Sequence, residues 1–285
     1  MSSQDINLVA GEDAVLLVHG LAASPLELRF MARALHRDGF SVHVPHIPGY
    51  GHGAAATDSE TWHARIRTIF ERMQGEYRTV SVGGLCIGAV IALELAAEKG
   101  REIAALSLMS TTLYYDGWAM PWYRFLLPLG YYTPLRYLYE YREREPYGLK
   151  NEVLRNCIAR KTRYSALTEI GATSMPMNHI YQAMRMIRRV KQNLAKVRAP
   201  ALVVHAIDDD TTSTKSADFV IDHIGSQVVR KLYLNDSYHM VTMDNERDVV
   251  ARETRDFLRA QISDDARTRV VAGRASAVMR RTTSR

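Results

Sequence analysis

The sequence predicts an α/β fold with a mostly parallel, doubly wound sheet. Two observations support this class: short apolar runs alternate with amphipathic segments, and the apolar runs end at glycines or polar residues. Continuous apolar runs are typical of strands that are buried on both faces. The chain has 285 residues, of which 47% are hydrophobic and 24% charged, enough for one large core and a modest insertion.

The first part of the chain alternates regularly. The run over 14–20 is apolar and ends at a glycine, which predicts a buried strand, and apolar residues then recur at helical spacing until Gly39. The same reasoning predicts a strand over 41–47, a helix over 61–77, a strand over 79–84, a helix over 87–99 and a strand over 103–110. Strands that alternate with helices indicate parallel crossovers.

The alternation stops at residue 111 and resumes at 199. The intervening segment has polar helical stretches and several prolines, and residues 112–148 hold half of the chain's Trp, Tyr and Phe residues. The remaining elements are a strand over 199–210, a helix over 213–225, a strand over 227–236 and a helix over 245–262. We therefore predict a core made of 1–110 and 199–262, with an inserted helical lid or cap over 111–198.

The excess positive charge of the chain comes from its last residues. The formal net charge is +6, and residues 266–285 contain six arginines and no acidic residue, so the rest of the chain is balanced. This segment is rich in Gly, Ser and Thr and has little apolar periodicity. It predicts a flexible basic tail over 263–285 and gives no indication of a nucleic-acid partner.

Cysteine usage and hydropathy bear on the compartment. Cys86 and Cys157 are the two cysteines of the chain, which gives no disulfide framework and predicts reduced thiols. The first residues lack a basic and an apolar region of the export type, and no apolar run approaches the ~18 residues of a membrane span. A cytoplasmic location without integral membrane contact is expected, and the oligomeric state is open.

Three reactive side-chain types follow predicted strands. Cys86 follows the strand over 79–84 within Gly84-x-Cys86-x-Gly88, an acidic triplet over 208–210 follows another, and His239 follows the strand over 227–236. Alone, each has an ordinary explanation: a buried cysteine, a solvated loop, a surface histidine. Because the carboxyl ends of parallel strands share one edge, their joint occurrence predicts a nucleophilic site in the order nucleophile, acid, histidine.

Four motifs carry a family resemblance. They read "VLLVHGLAASP", "GGLCIGA", "LVVHAIDDD" and "SYHMVTMDNERDVV", and they span residues 14–258. With these motifs the chain resembles α/β hydrolases of the carboxylesterase and monoacylglycerol-lipase-like branch, with cysteine where most of the branch has serine. The resemblance implies an α/β-hydrolase fold with a helical lid insertion and no cofactor or metal.

The resemblance also implies roles for individual residues. It makes Cys86 the nucleophile, His239 the catalytic base and Asp209 the orienting acid, with Asp208 as the second choice and Asp210 behind it. It further implies an oxyanion hole formed by the backbone N–H groups of Leu21 and Ile87. For the apolar contact area of an acyl pocket, the aromatic-rich insertion offers Trp118, Trp122 and Phe125.

The expected activity is hydrolysis of small-molecule carboxylic esters or thioesters with an apolar acyl group, through an acyl-cysteine intermediate. A thiol has a free pKa near ~8.5 and ionises more readily than a hydroxyl, and its acyl product is a thioester. Thioesters react well with amines and thiols, so an acyltransferase that uses the same intermediate is an alternative. A non-catalytic hydrolase-like binding protein is a second alternative, which the intact acid and histidine disfavour.

Overall fold

The structure, a computed structural model, describes residues 5–51, 57–142, 145–157 and 174–263. Its main sheet is built from β1 (Ile6–Leu8), β2 (Asp13–Val18), β3 (Ser41–Val44), β4 (Thr79–Leu85), β5 (Leu106–Met109), β8 (Ala201–Ala206) and β9 (Val229–Leu234). The strand order is β1-β3-β2-β4-β5-β8-β9, and all neighbours are parallel except β1 and β3. The predicted α/β class with a mostly parallel sheet is confirmed.

Helices cover both faces of this sheet. The helices of the described segments are α1 (Arg29–Arg37), α2 (Ser59–Glu76), α3 (Ile87–Lys99), α4 (Leu127–Tyr131), α5 (Leu135–Leu138), α6 (152–157), α7 (Met177–Asn193), α8 (Lys215–His223) and α9 (247–263). Alternate residues of β2 enter opposite cores: Leu16 packs in the cluster that includes α2 and α3, and Leu17 in the cluster that includes α1 and α9. This alternation makes the sheet a doubly wound one.

One strand of the sheet has no counterpart in the sequence prediction. The strand β1 has three residues and pairs antiparallel with β3, with Ile6 opposite Val44. A run this short is below the length at which alternating hydrophobicity can be recognised, and only its pairing with β3 makes it a strand. It is an outermost strand of the sheet, and none of the predicted reactive residues follows it.

The predicted insertion divides into two parts in the structure. The insertion contains a 3-10 helix (Trp122–Leu126) and two paired antiparallel strands, β6 (Glu140–Arg142) and β7 (Ser174–Pro176). Tyr131 of α4 packs with Met177 and Ile180 at the start of α7 in a small separate apolar cluster. The rest of α7 buries one face in the main core beside α3, through Ala183, Met186, Ile187 and Val190. Residues 143–144 and 158–173 of the insertion and 264–285 of the tail lie outside the described residues.

Among the helices of the described segments, none is both long enough and apolar enough to cross a lipid bilayer.

Candidate active site

The register of the sheet brings the ends of its central strands to one edge. Val18 lies beside Gly84, Leu85 beside Met109, and Met109 beside Val204. The loops that leave β2, β4, β5 and β8 therefore start at nearly the same height. This edge is where open parallel sheets place their ligands.

Cys86 occupies a strained turn between β4 and α3. Its backbone has φ 58° and ψ −120°, a conformation that costs a residue other than glycine about 1–3 kcal/mol. Its N–H donates to the carbonyl of Met109 at 3.0 Å, which fixes the turn against the end of β5. The thiol is partly exposed and stands at the N-terminus of α3.

The two glycines around Cys86 have a steric cause. A Cβ atom on Gly84 would lie 2.3 Å from the backbone of Gly88, and a Cβ atom on Gly88 would lie 2.1 Å from the carbonyl oxygen of Val18. Backbone atoms cannot move away from such contacts without opening the sheet. The Gly-x-Cys-x-Gly spacing is therefore what lets α3 pack directly on β2 and β4.

The imidazole ring of His239 is hydrogen-bonded to one aspartate of the acidic triplet. Nδ1 of His239 lies 2.8 Å from Oδ2 and 3.0 Å from Oδ1 of Asp209, and both residues are buried. Oδ1 of Asp209 also accepts the backbone N–H groups of Thr211 and Thr212, each at 2.8 Å. Asp208 has 59% of its side chain exposed and lies 3.5 Å from Lys150 Nζ, so it faces away from the histidine.

The ring of His239 is set up to carry a proton. Burial lowers the pKa of His239, but the Asp209 carboxylate and Cys86 together raise it by more, so that it lies well above the ordinary histidine value. Because Nδ1 is hydrogen-bonded to Asp209, Nε2 is the ring nitrogen that is available for proton transfer. Nε2 is buried and has no fully formed hydrogen bond within the described residues.

A second histidine stands behind the acid and was missed by the sequence analysis. His205, near the end of β8, is completely buried, and its Nε2 lies 3.0 Å from the carbonyl of Thr212 and 3.7 Å from Oδ2 of Asp209. Burial lowers the pKa of His205, which favours the neutral ring. A neutral ring with Nε2 protonated donates to Thr212 and supports the loop that holds Asp209.

Two other aspartates organise the loops of the site. Asp210 accepts the N–H of Gly148 at 3.1 Å and that of His239 at 3.3 Å, and burial raises its pKa. Asp244 accepts backbone N–H groups from Lys150, Asn151, Tyr238 and Asn245 at 2.7–3.0 Å. Both carboxylates tie residues 148–151 of the insertion to the loop that carries His239. From the sequence, Asp210 was only a lower-ranked candidate for the triad acid, and the signal for Asp244 was its place five residues after the histidine.

Of the two predicted oxyanion donors, Ile87 directly follows Cys86 at the start of α3, and Leu21 lies in the loop after β2. Ile87 is the first residue of α3, so its N–H has no carbonyl of a preceding helical turn to bond. In the other loop, the Gly20 carbonyl lies 2.9 Å from Nδ1 of His19 and accepts the N–H of Ala23 at 3.3 Å. Since the C=O and N–H of one peptide point in opposite directions, the N–H of Leu21 points away from these partners.

A buried carboxylate supports the same loop. Glu27, in a 3-10 helix over Pro25–Leu28, accepts the N–H of Gly20, and its backbone carbonyl accepts the hydroxyl of Thr242 at 3.2 Å. A Cβ atom on Gly20 would lie 3.1 Å from Oε1 of Glu27 and 3.7 Å from Cβ of Cys86. The Glu27 carboxylate therefore holds the loop after β2, and this loop passes directly beside Cys86.

The aromatic residues predicted for the acyl pocket lie at different places. The indole N–H of Trp118 donates to the carbonyl of Asp208 at 2.9 Å, and its ring packs edge-on against Tyr238 at 5.4 Å. Trp122 and Phe125 lie on the 3-10 helix of the insertion, 6.2 Å apart and 78% and 64% exposed. Trp118 is thus fixed to the acid loop, whereas the other two form an exposed aromatic surface.

Two tyrosines lie near the thiol of Cys86. Burial raises the pKa of both Tyr50 and Tyr115, and the proximity of Cys86 raises them further. Tyr131 of α4 also interacts with Tyr115, and burial raises its pKa to about 12. Tyr50 is completely buried, and its hydroxyl donates to the carbonyl of His19 at 2.7 Å, in the loop after β2 that passes Cys86. Within the described segments, no three His, Cys, Asp or Glu side chains are arranged to hold a metal ion.

The geometry agrees with comparisons to known proteins. Residues 11–246 match the family model of the serine aminopeptidases, S33. The chain belongs to this family. It is 25% identical over 257 residues to a carboxylesterase of Bacillus subtilis (strain 168), covering 87% of the chain and 93% of that protein. It is 24% identical over 250 residues to a thermostable monoacylglycerol lipase of Bacillus sp. (strain H-257), covering 87% and 90%.

A solved structure supports the fold of this family member. The monoacylglycerol lipase of Paleococcus ferrophilus superimposes with a TM-score of 0.74 at 17% identity, covering 92% of the chain and all of that protein. The chain thus has the α/β-hydrolase fold and is an enzyme of the α/β-hydrolase class. The predicted resemblance to the carboxylesterase and monoacylglycerol-lipase branch is confirmed at the level of the family. Cys86 stands out because the family carries serine in its name.

Proposed function

We propose that this chain hydrolyses carboxylic esters or thioesters with an apolar acyl group, through an acyl-cysteine intermediate on Cys86. His239 is the acid–base group and Asp209 is the acid that orients it. One observation carries the proposal: both carboxylate oxygens of Asp209 lie within 3.0 Å of His239 Nδ1, beside a cysteine that a strained turn presents at a helix N-terminus. The names of the two bacterial relatives support ester bonds as the target.

In the first half-reaction the Cys86 thiolate attacks the acyl carbon. A C–S bond forms, and the carbonyl oxygen becomes an oxyanion that the N–H groups of Leu21 and Ile87 stabilise, each contributing roughly 3 kcal/mol. When the oxyanion collapses, the bond to the leaving alcohol or thiol breaks. The leaving group takes the proton from His239 Nε2, so the ring is neutral and the enzyme carries a thioester.

The second half-reaction restores the site. The neutral His239 ring takes a proton from water, and the resulting hydroxide adds to the thioester carbon. The C–S bond then breaks, the carboxylic acid leaves, and Cys86 returns as a thiolate beside a protonated imidazole. The raised pKa of His239 fits this resting state, since a protonated ring is present when the next leaving group needs its proton.

The apolar nature of the acyl group is supported by what surrounds the thiol. Burial and the proximity of Cys86 raise the pKa of Tyr50 and Tyr115, so two phenol rings lie near the thiol, and Tyr50 is completely buried. In the insertion, Trp122 and Phe125 expose apolar rings that an acyl chain can cover. We therefore assign the insertion the role of a lid or cap over the acyl chain.

Substitution of the nucleophile tests the proposal. Cys86→Ala should lose nearly all turnover of p-nitrophenyl esters and should show no acyl adduct by mass spectrometry. The matched control is Cys157→Ala, because Cys157 is the other cysteine of the chain and is exposed. Full activity of Cys86→Ala, or acylation at Cys157, would contradict the assignment.

A serine at the same position separates hydrolysis from acyl transfer. Cys86→Ser keeps the turn, the histidine and both oxyanion donors, but His239 must then deprotonate a much weaker acid. We expect kcat/KM to fall by orders of magnitude on both an ester and an acyl thioester, and transfer to an added amine to occur only with Cys86. A serine variant with full activity and the same product ratio would show that cysteine merely replaces serine.

A further inference from the structure

The segment after β5 touches both the nucleophile and the histidine, although no sequence motif points to it. The carbonyl of Met109 accepts the N–H of Cys86 at 3.0 Å. The hydroxyl of Ser110 donates to the carbonyl of His239 at 2.8 Å, and Ser110 itself turns the chain with φ 44°. This turn brings the next residues back over the thiol.

The hydroxyl of Thr112 lies between two acceptors. Its Oγ1 is 3.3 Å from Sγ of Cys86 and 3.1 Å from the carbonyl oxygen of Ser110, and the side chain is completely buried. A hydroxyl has one proton to donate and can accept at its lone pairs. Thr112 can therefore donate to the sulfur or to the carbonyl, but not to both at once.

The protonation state of Cys86 decides between these two arrangements. A neutral thiol donates its S–H to Oγ1 of Thr112, whose own proton then points to the carbonyl of Ser110. A thiolate has no proton to donate, so the hydroxyl proton turns to the sulfur and makes a charge-assisted hydrogen bond. Such bonds are stronger than those between neutral groups, so this exchange favours the thiolate.

We propose that Thr112 is a catalytic residue of this chain, whose hydroxyl stabilises the thiolate of Cys86 before acylation and again when the thioester is cleaved. The inference rests on the proposed function, because it requires Cys86 to be the nucleophile. As the C–S bond forms, the sulfur loses its charge, and the hydroxyl of Thr112 turns to donate its hydrogen bond to the carbonyl of Ser110. As the C–S bond breaks, the proton turns back to the sulfur that leaves.

The neighbouring threonine offers a matched control. Thr111 is also completely buried, and its Oγ1 has no hydrogen-bond partner within the described residues. Replacing Thr111 by valine removes a hydroxyl of the same kind from the same segment without removing a contact to Cys86. Replacing Thr112 by valine removes the hydroxyl that contacts the sulfur and keeps the volume of the side chain.

The experiment measures how alkylation of Cys86 by iodoacetamide depends on pH, in a Cys157→Ser background, with the adduct located by mass spectrometry. For Thr112→Val we expect the midpoint of the profile to rise by about one pH unit, so that alkylation below the midpoint slows about tenfold, or about 1.4 kcal/mol. Thr112→Ser keeps the hydroxyl and should restore the wild-type midpoint. Thr111→Val should leave the midpoint where it is.

The outcomes separate this inference from the proposed function. If Cys86→Ala keeps full turnover, the nucleophile is misassigned and the proposed function fails. If Cys86→Ala is inactive but Thr112→Val has the wild-type midpoint, the function stands and the role of Thr112 is refuted. An equal shift in Thr111→Val would also refute it. If Thr112→Val does not fold, Thr112→Ala removes the same hydroxyl with a smaller side chain, and a midpoint shift in that variant decides the matter.

Discussion

Replacement of Asp209 by asparagine tests how the acid controls the histidine. Oδ1 of Asp209 accepts two backbone N–H groups, from Thr211 and Thr212, and asparagine can keep both by placing its carbonyl oxygen there. Its NH2 group then occupies the position of Oδ2, 2.8 Å from Nδ1 of His239. An NH2 group donates, so the nearest partner of Nδ1 is no longer an acceptor. The tautomer with its proton on Nε2 is therefore favoured, although the carbonyl oxygen remains 3.0 Å from Nδ1.

Two losses follow, and both act on Cys86 chemistry. A neutral ring that carries its proton on Nε2 cannot take a proton from the thiol or from water. The buried imidazolium also loses its counter-charge, and a hydrogen bond to a charged group contributes about 1.5–3 kcal/mol. The same substitution in a serine triad lowers kcat about 10⁴-fold. Because a thiol needs less help to ionise than a hydroxyl, we expect a loss of about 10²–10⁴-fold, or about 3–5 kcal/mol in the barrier.

The assay is kcat/KM on a p-nitrophenyl ester, with thermal melting as a control for folding. Asp208→Asn is the matched control, because Asp208 is exposed and its contact with Lys150 is a surface ion pair that contributes at most about 1 kcal/mol. We expect that control to stay within about threefold of the wild type. Equal effects of the two substitutions, or a larger loss in Asp208→Asn, would refute the assignment of the acid.

Two further predictions concern pH and the aromatic surface of the insertion. The pKa of His239 is raised by Asp209 and Cys86, so its protonated form persists as the pH rises through the ordinary histidine range; kcat/KM should fall only at clearly more alkaline pH. A decline that begins at the ordinary histidine value would contradict this. Trp122→Ala and Phe125→Ala should lower kcat/KM for long-chain esters several-fold and leave acetyl esters unchanged, whereas Val153→Ala, an equally exposed change on α6, should affect neither. A uniform loss on all chain lengths would instead indicate a structural role of these rings.

The sequence was sufficient for the parallel strands of the sheet and for the residue types of the site, because both leave a signal within a short stretch of chain. The two glycines form a recognisable spacing around Cys86, although one of the contacts that requires them is made with Val18, and His239 follows the end of β9 by five residues. The choice among three consecutive aspartates was harder to predict, because it depends on how the chain turns after β8. That turn points Asp209 at His239 and leaves Asp208 to the solvent.

Contacts between distant parts of the chain explain what the sequence could not predict. Asp210 binds a backbone N–H that lies 62 residues away, and Thr112 meets a thiol 26 residues away. Neither contact leaves a periodic signal, because each is made by a single side chain in a loop. The helix α7 is amphipathic like any surface helix, and nothing in its pattern distinguishes packing on α3 from packing within the insertion.

The first part of the insertion, from Gly117 to Gly148, is attached at both of its ends to the loops that carry Asp209 and His239, which limits how it can act as a lid. At the start, the N–H groups of Gly117 and Ala119 donate to the carbonyls of Thr211 and Asp210 in the acid loop. At the end, Gly148 donates to the carboxylate of Asp210 and accepts the N–H of Met240 beside the histidine.

These two attachments set the boundaries of any part that can change without moving the catalytic groups. A truncation that starts at Trp118 breaks the contact of its indole with the acid loop and disturbs His239 together with acyl binding. A truncation confined between Met120 and Pro146 keeps both attachments, so the loops that carry Asp209 and His239 stay anchored, although Tyr131 no longer packs on α7 and β7 loses its partner strand. Selectivity for the acyl chain and placement of the histidine are therefore separable at these two residues.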